Sequence, residues 1–510
     1  MGNILVLNMG LKSIRCIIFD YNGSKLGSAA ESIKTAINDK CVEQSPDEWW
    51  DKAQLVMGKA VSDSKVNKID FITVTTSASC LVCVDNNGNA LMPALMVSDK
   101  RAEKEAEKLQ LDPLFQDVAR KTKLNSSSSL MLPKIMWVQN NRPEILDQIK
   151  YFLTSNDFFV FKLCGEVVTD YFNAVKFHYL LNEKMYPQKL IKSLGISDQK
   201  LPRVEDAGKR VGTINKKIAA DIGITDTAAI ILSSYDAICS FIGSGASDEG
   251  DSSDVSGTVT VFRTLSKKNS ITPSPKISDI PFYLEHARIV GGSNNLGGGL
   301  IEWVKQCYYQ KEEYPYEIME KDAHESDVGA KGLIFLPYLL GERAPIWDDN
   351  ARGVFFGLER MHTRKDMTRA VFESTGFIDM DMINAIQDSG VNVGAIRLSG
   401  GLGRLNLISQ IKSDVLNRDV FVLSEFETTS TGAAMLALVG QNVFSDMKAA
   451  ADRFVTIRMI IKPNKENHKK YQYMYEMYKD TYINLRGLFR RRLDIFEKIR
   501  NDREVRIENL

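Results

Sequence analysis

The feature that most restricts the fold of this chain is a grammar that occurs twice: a β-rich run, a glycine turn, a second β-rich run, then helix and strand. In the first copy NILVLN (3–8) and IRCIIF (14–19) flank Gly10, and Tyr21-Asn22-Gly23 is a hairpin turn leading to a third run near 25–33. PDEWWDKAQLVMGKAVSD (46–63) has helical spacing with Pro46-Asp47 at its start. DFITVTT (70–76) and CLVCVDNNGNAL (80–91) return to strand, and LPKIMWVQNNRPEILDQIK (132–150) reads as helix. The second copy begins near 250: GDSSDVSGTVTVFRTL (250–265) pivots on Gly257, GAIRLSGGLGR (394–404) runs from strand into a glycine turn, and NLISQIKSDVL (406–416) is helical. Strands interleaved with helices make both halves α/β. At 510 residues the chain exceeds what one core accommodates, so the halves are expected as separate domains. The polar stretch GSGASDEGDSSD (243–254) is the expected crossing. Beyond about residue 465 the pattern is helical, with Tyr471, Tyr475, Tyr478 and Tyr482 on one stripe, which reads as a packing face rather than an RNA-stacking surface.

Charge narrows the partners. Lys+Arg 65 balance Asp+Glu 65, so no global field draws nucleic acid or anionic lipid, and an anion site has to be made locally. A small charged ligand fits better than a polymer. No run reaches the ~18 apolar residues of a membrane span, and Met1-Gly2-Asn3-Ile4-Leu5-Val6 carries no basic leader, which makes the cytoplasm the expected location. Seven scattered cysteines form no disulfide framework. Cys80-Leu-Val-Cys83 is a CxxC inside a strand-like run, where residues three apart face opposite sides, so it reads as two buried thiols rather than a metal or redox pair.

The chemistry is expected at the glycine turns. Gly10, Gly257-Thr258, and Gly400-Gly401 with Gly403 punctuate strand ends, where a missing Cβ lets backbone N–H groups approach phosphates. Asp236, in Ser233-Ser234-Tyr235-Asp236-Ala237, follows the apolar run AAIIL (228–232) and so stands at the C-terminal end of a strand, where α/β active sites lie. Its carboxylate is placed either to cap a helix or to accept a proton from a hydroxyl attacking a phosphoryl group.

Over residues ~3–465 the motif order resembles the FGGY carbohydrate kinases of the sugar kinase/actin/heat-shock superfamily. CVEQSPDEWW (41–50) looks like that family's V-E-Q-x-P-x-x-W-W segment, and LPYLLGERAPIWDDNARGVFFGL (336–358) resembles its G-E-R-x-P-x-W-D-x-x-A-R-G block. LSGGLGRLNLISQIKSDVLNRDV (398–420) and ETTSTGAAMLALVG (427–440) resemble its adenine-binding region. The resemblance implies two RNase-H-like (actin-like ATPase) domains flanking a deep interdomain cleft: an N-terminal domain over 1–246, a C-terminal domain over 247–465, and a helical tail over 466–510. It implies ATP and Mg²⁺ as cofactors and a small sugar or polyol as partner, with a homodimer compatible with the pattern. It puts Gly10, Lys12, Ser13 and Arg15 on the first phosphate turn and Gly257 and Thr258 on the second. Gly400, Gly401, Leu402 and Asn406 then fall on the adenosine site, and Asp236 on the catalytic base. Ala78, Ser79, Asp99 and Arg101, with Asp236, fall in the sugar site. Lobe closure would exclude the water that otherwise takes the phosphoryl group.

Two places depart from the family. The first turn usually reads D-x-G-T-[ST]-S-x-[KR]; here Asn8 replaces the aspartate that meets Mg²⁺ through water, and Leu11-Lys12 replace the hydroxyl pair. In the sugar segment Ala78-Ser79-Cys80 stands for Met-His-Gly, Val97-Ser98-Asp99-Lys100-Arg101 for W-x-D-x-R, and Asn173 for a common aspartate. The expected activity is phosphorylation of a hydroxyl of a D-xylulose-type pentulose. The alternatives are gluconate, glycerol or a deoxyketose as substrate, or a nucleotide-binding protein of kinase fold with little or no phosphotransfer.

Overall fold

The computed structural model describes residues 2–508 of the chain. The chain divides into two compact units: Met1–Gly245 with Tyr283–Glu285 and Glu427–Val455, and Ala246–Phe282 with His286–Phe426 and Thr456–Leu510.

The first unit is built on a six-stranded sheet in the order Arg210–Thr213, Ala229–Ile231, Phe71–Thr76, Asn3–Met9, Ser13–Asp20, Lys25–Ser32. The last three form the antiparallel meander, Phe71–Thr76 and Ala229–Ile231 join in parallel, and Arg210–Thr213 closes the edge antiparallel. The turn at Gly23, with φ of 84°, needs the left-handed conformation that glycine adopts freely. One face of the sheet packs on helix Pro46–Ser64, capped by the Ser45 hydroxyl, through Trp49, Ala53, Val56, Met57 and Ala60. On the other face Ile4, Val6, Ile17 and Ile231 pack against Ala433, Ala434, Ala437 and Leu438 of helix Thr428–Gly440.

That last helix is a difference from the expected division at residue 246/247, because residues 427–455 cluster with the first unit. The reason is a close helix crossing. A Cβ on Gly243 would lie 1.9 Å from the Thr428 carbonyl oxygen, and one on Gly432 would lie 1.8 Å from the Cys239 oxygen. The two glycines let the helices Asp236–Gly243 and Thr428–Gly440 approach to backbone contact, which no local pattern announces.

The second unit repeats the plan. Its seven-stranded sheet runs Ser278–Phe282, Ala287–Ser293, Thr260–Ser266, Ser252–Ser256, Ile396–Ser399, Val420–Leu423, Ile457–Ile461. From Ala287–Ser293 onward the pairing sense matches the first unit strand for strand, with a meander, two parallel strands and an antiparallel edge. Helices Arg364–Asp388 and Asn406–Leu416 supply much of its core. The tail is one helix, Lys465–Glu508, whose Tyr471, Tyr475 and Tyr478 are buried in that core.

Two elements are shorter than the sequence suggests. The helix expected over 132–150 spans Met131–Asn141, because Pro143 disfavours helical backbone at Arg142. Of 80–91 only Val82–Val84 is strand, since Asp85 turns the chain by accepting N–H bonds from Asn87 and Asn89. Cys80 and Cys83 are both buried free thiols in separate hydrophobic clusters.

Candidate functional site

In the first unit the Gly10 turn closes tightly, with the Gly10 N–H donating to the Ser13 carbonyl at 3.0 Å. Gln44, from the VEQ segment, donates to the Leu11 carbonyl at 2.8 Å and accepts from the Trp49 indole at 2.9 Å, so the motif's glutamine and tryptophan brace the turn from behind. Lys12 is exposed, and the Ser13 hydroxyl accepts from Arg15 Nε. Arg15 is ion-paired with Glu427, which stands just before helix Thr428–Gly440. Asn8 is buried, and its amide donates to Glu427 Oε1 and to the Ser430 hydroxyl, both at 3.1 Å. The first turn therefore has a carboxylate beside it after all, on Glu427 rather than at position 8.

Asp236 opens helix Asp236–Gly243. Its Oδ2 accepts from the Ser77 hydroxyl at 3.3 Å, and the Ser77 N–H donates to the carbonyl of Met9, one residue before Gly10. The structure thus brings Asp236, the segment Ser77–Cys80 and the first glycine turn together through hydrogen bonds within one unit. Two residues before Asp236, the Ser234 hydroxyl donates to buried Asp170 at 3.0 Å. Burial pushes the Asp170 carboxyl up to about 6, against hydrogen bonds from Asn173 and Ser234 that favour its charged form. Asn173 thus serves Asp170, its amide 2.6 Å from Asp170 Oδ2.

Asp99 and Arg101 are committed to each other and to the chain. Asp99 accepts from the Val42 N–H and from Arg101, while Arg101 also pairs with Glu43 and lies 4.8 Å over the Trp137 ring. Ser79 sits at φ 58°, a strained conformation for a residue with a side chain. Its carbonyl is held by Lys134 at 2.6 Å. Lys134 is fully buried and also donates to the carbonyls of Met96 and Leu95. Ala78 lies between the two serines that make these contacts.

In the second unit Gly257 and Thr258 are exposed at the end of strand Ser252–Ser256. Their carbonyls accept N–H bonds from Gly297, Gly298 and Gly299, so a second glycine-rich loop lies under the turn. The GER block holds that loop: Glu342 accepts from the Asn295 N–H at 2.8 Å, and Arg343 donates to the Asn294 carbonyl at 2.6 Å. Burial pushes the Glu342 carboxyl up to about 7. Tyr482 of the tail helix donates to Asp348 in the same block, so the tyrosine stripe packs against the segment that supports the turn.

Gly400, at φ 82°, lies so close to this turn that a Cβ would meet the Ser256 carbonyl oxygen at 2.5 Å. Gly401 opens a short 3₁₀ turn, Leu402 is buried, and Asn406 begins helix Asn406–Leu416 with its side-chain oxygen accepting from Arg458. Arg404 and Arg458 flank the Phe426 ring at 5.1 and 5.9 Å.

Both halves of this arrangement have counterparts among known proteins. The FGGY carbohydrate-kinase N-terminal domain matches residues 3–243 and the C-terminal domain residues 254–440. The chain belongs to the FGGY family of carbohydrate kinases. A xylulose kinase of Staphylococcus xylosus is 25% identical over 484 residues, covering 94% of this chain and 100% of its own. Among solved structures, a ligand-bound xylulose kinase from Lactobacillus acidophilus superposes with a TM-score of 0.88 at 25% identity, covering 96% of this chain and 100% of that one. A gluconate kinase from the same organism gives 0.87 at 25%, covering 95% and 98%. The protein is an ATP-dependent carbohydrate kinase, with the two-domain fold of that family.

The kinase also has supporting residues to which the sequence alone gives no role: Glu427 and Lys412, both inside the segments that resemble the adenine-binding region, and Ser77 and Lys134 outside them. Two of them leave a sequence signal. Lys134 shares its helix face with Met131, Ile135 and Val138, and Lys412 shares its own with Ile408, Ile411 and Val415, so each is a charge on an otherwise apolar stripe. Glu427 and Ser77 leave none, because their partners are distant in sequence.

Proposed function

We propose that this kinase transfers the γ-phosphoryl group of ATP to a hydroxyl of a neutral ketose of the D-xylulose type, with Asp236 as the base. The observation that carries the proposal is the hydrogen-bonded run Met9–Ser77–Asp236, which sets a carboxylate beside the first glycine turn. Asp236 orients the acceptor hydroxyl and takes its proton as that oxygen attacks phosphorus. In the first unit the Gly10 turn, with Lys12, Ser13 and Arg15, is assigned to phosphate binding; within the second unit the turns at Gly257-Thr258 and Gly400-Gly401 are assigned to phosphates, and Leu402 and Asn406 to adenosine.

The family implies magnesium. Among the described residues no three acidic or soft ligands form a cage, which suits an ion that keeps its waters and is bound by phosphates plus one or two carboxylates. Glu427, hydrogen-bonded to Asn8, is the carboxylate at the first turn that would take that role. When bound, the ion neutralises charge on the phosphates; Asn8 would meet it only through water.

A neutral sugar is favoured because two cations of the sugar segment are already spent. Arg101 pairs with Asp99 and Glu43, and Lys134 holds three carbonyls, which leaves neither for the carboxylate of a sugar acid. Lys176, over the Tyr235 ring at 4.9 Å, is the cation a gluconate would need. Ala78 and Ser79 then contact the sugar, while Asp99 and Arg101 shape its site from behind.

The test is ADP production with D-xylulose, D-ribulose, L-fuculose, glycerol and D-gluconate. D-xylulose is expected to give the highest kcat/KM, and Asp236→Ala to lower kcat by roughly 10²–10⁴ with ATP affinity retained, the range of a lost general base. Gluconate turnover abolished by Lys176→Met would replace the neutral-sugar reading. ATP binding without turnover on any of these sugars would favour a nucleotide-binding role.

A further inference from the structure

The second unit contains a buried ionic cluster to which the sequence alone assigns no role, although Lys412 lies within the segment 398–420 that resembles the adenine-binding region. Lys412, on helix Asn406–Leu416, is ion-paired with Asp254 and with Asp379 at 2.6 Å, and its third donor reaches the Ser256 hydroxyl at 3.2 Å. All four side chains are buried. Asp254 and Ser256 belong to the strand that ends in Gly257-Thr258, whereas Asp379 comes from helix Arg364–Asp388. The Ser256 hydroxyl donates to Asp254 at 2.6 Å and shares a 3.0 Å hydrogen bond with Thr260 on the far side of the turn.

We infer that this cluster positions the nucleotide by fixing the distance between the second phosphate turn and the adenosine helix. This rests on the reading of Gly257-Thr258 and Gly400–Asn406 as nucleotide contacts. One ammonium group joins the strand that delivers the phosphate turn to the helix that Asn406 begins, and Asp379 fastens both to the unit's longest interior helix. Three donors meet three acceptors, so Lys412 has one orientation, and a rotation of the helix about its axis would leave a buried charge unpaired. The same two turns touch directly at Gly400 and Ser256, leaving no slack between them. An apolar trio of similar volume would pack as well; what the ions add is register. ATP joins its adenosine to its phosphates by a short covalent tether of limited reach, and the benefit of binding both ends falls when the two sites no longer match its span.

The experiment compares the full-length chain with a charge-free variant, Lys412→Met/Asp254→Asn/Asp379→Asn, and with Ser256→Ala, which keeps the ion pairs and removes the hydroxyl that Lys412, Asp254 and Thr260 share. Binding of ATP, adenosine and tripolyphosphate is measured by calorimetry, and KM for ATP and for sugar by ADP release. The charge-free variant is expected to bind adenosine and tripolyphosphate like the parent, but ATP about tenfold more weakly, with KM for ATP rising in step and sugar KM unchanged. For Ser256→Ala about threefold is expected in the same direction. A purely structural cluster would instead lower thermal stability and shift all three ligands together. ATP affinity equal to the parent's in a folded charge-free variant overturns the inference; if that variant does not fold, unchanged ATP affinity in Ser256→Ala overturns it. A parent chain that binds no ATP contradicts the proposed function instead, so the two failures are distinct.

Discussion

Among the described residues each unit buries one lysine almost completely, and the two units treat that charge in opposite ways. Lys134 in the first unit faces three backbone carbonyls, and burial lowers its ammonium to about 8. Lys412 in the second faces two carboxylates, whose charge outweighs the effect of burial and raises it above the ordinary lysine value. Carbonyl dipoles fix where an ammonium sits without securing its proton; carboxylates secure both. The loop around Ser79 is therefore held by a group that titrates in the mildly alkaline range, and the strand leading to Gly257 by one that does not.

The sharpest way to break this contrast is to remove each lysine alone. Lys412→Met strands two buried aspartates, and loss of one partner of a buried pair costs about 3–5 kcal/mol; urea unfolding of the variant is expected to show that loss, partly relieved at low pH as Asp379 takes up a proton. Burial already holds Asp379 well above the usual carboxylate range, with the neighbouring Asp254 charge adding to it.

Lys134→Met strands carbonyls rather than charges, and unsatisfied buried acceptors cost about 1–3 kcal/mol. Its expected signature is kinetic: sugar KM rises roughly tenfold as the Ser79 loop relaxes, while KM for ATP stays constant. Equal effects on both substrates would erase the proposed division between the lysines.

The smallest effect is in pH. Above about 8 the Lys134 amine has two donors for three carbonyls, so sugar kcat/KM is expected to fall by about two- to threefold between pH 7.5 and 9, with KM for ATP flat. Cys80, Asp99 and Arg101 lie near enough to tune that limb. For stability the sign is reversed. Because the native ammonium is depressed below its unfolded value of 10.5, the unfolded chain holds more protons between about 8 and 10.5. Stability relative to Lys134→Met therefore rises with pH across that window, which unfolding curves at a series of pH values will show.

These contrasts also mark how far the sequence could be read. The meanders at 3–33 and 252–266, the Asn22-Gly23 turn and helix Pro46–Ser64 follow from alternation, turn chemistry and capping, all local rules. The glycine turns and Asp236 were legible as candidates for the same reason, and family resemblance ordered them. What lay out of reach was long-range: the Asn8 amide meets Glu427 and Ser430 from more than four hundred residues away, so a turn that looked stripped of its acid has one beside it. Lys134 and Lys412 drew no expectation from the sequence, although each is a charge on an apolar helix stripe, and only packing reveals that one finds carbonyls and the other carboxylates.

The interrupted make-up of the first unit has a consequence during synthesis. Its sheet face at Ile4, Val6, Ile17 and Ile231 is covered by Ala433, Ala434, Ala437 and Leu438, which leave the ribosome after most of the second unit's strands. A nascent chain therefore carries an unfinished apolar face through roughly two hundred residues of further elongation, at ~5–20 residues per second. For that interval the first unit is a natural client for a chaperone, and a fragment cut at Gly245 would lack both the covering helix and Glu427 and remain prone to aggregate.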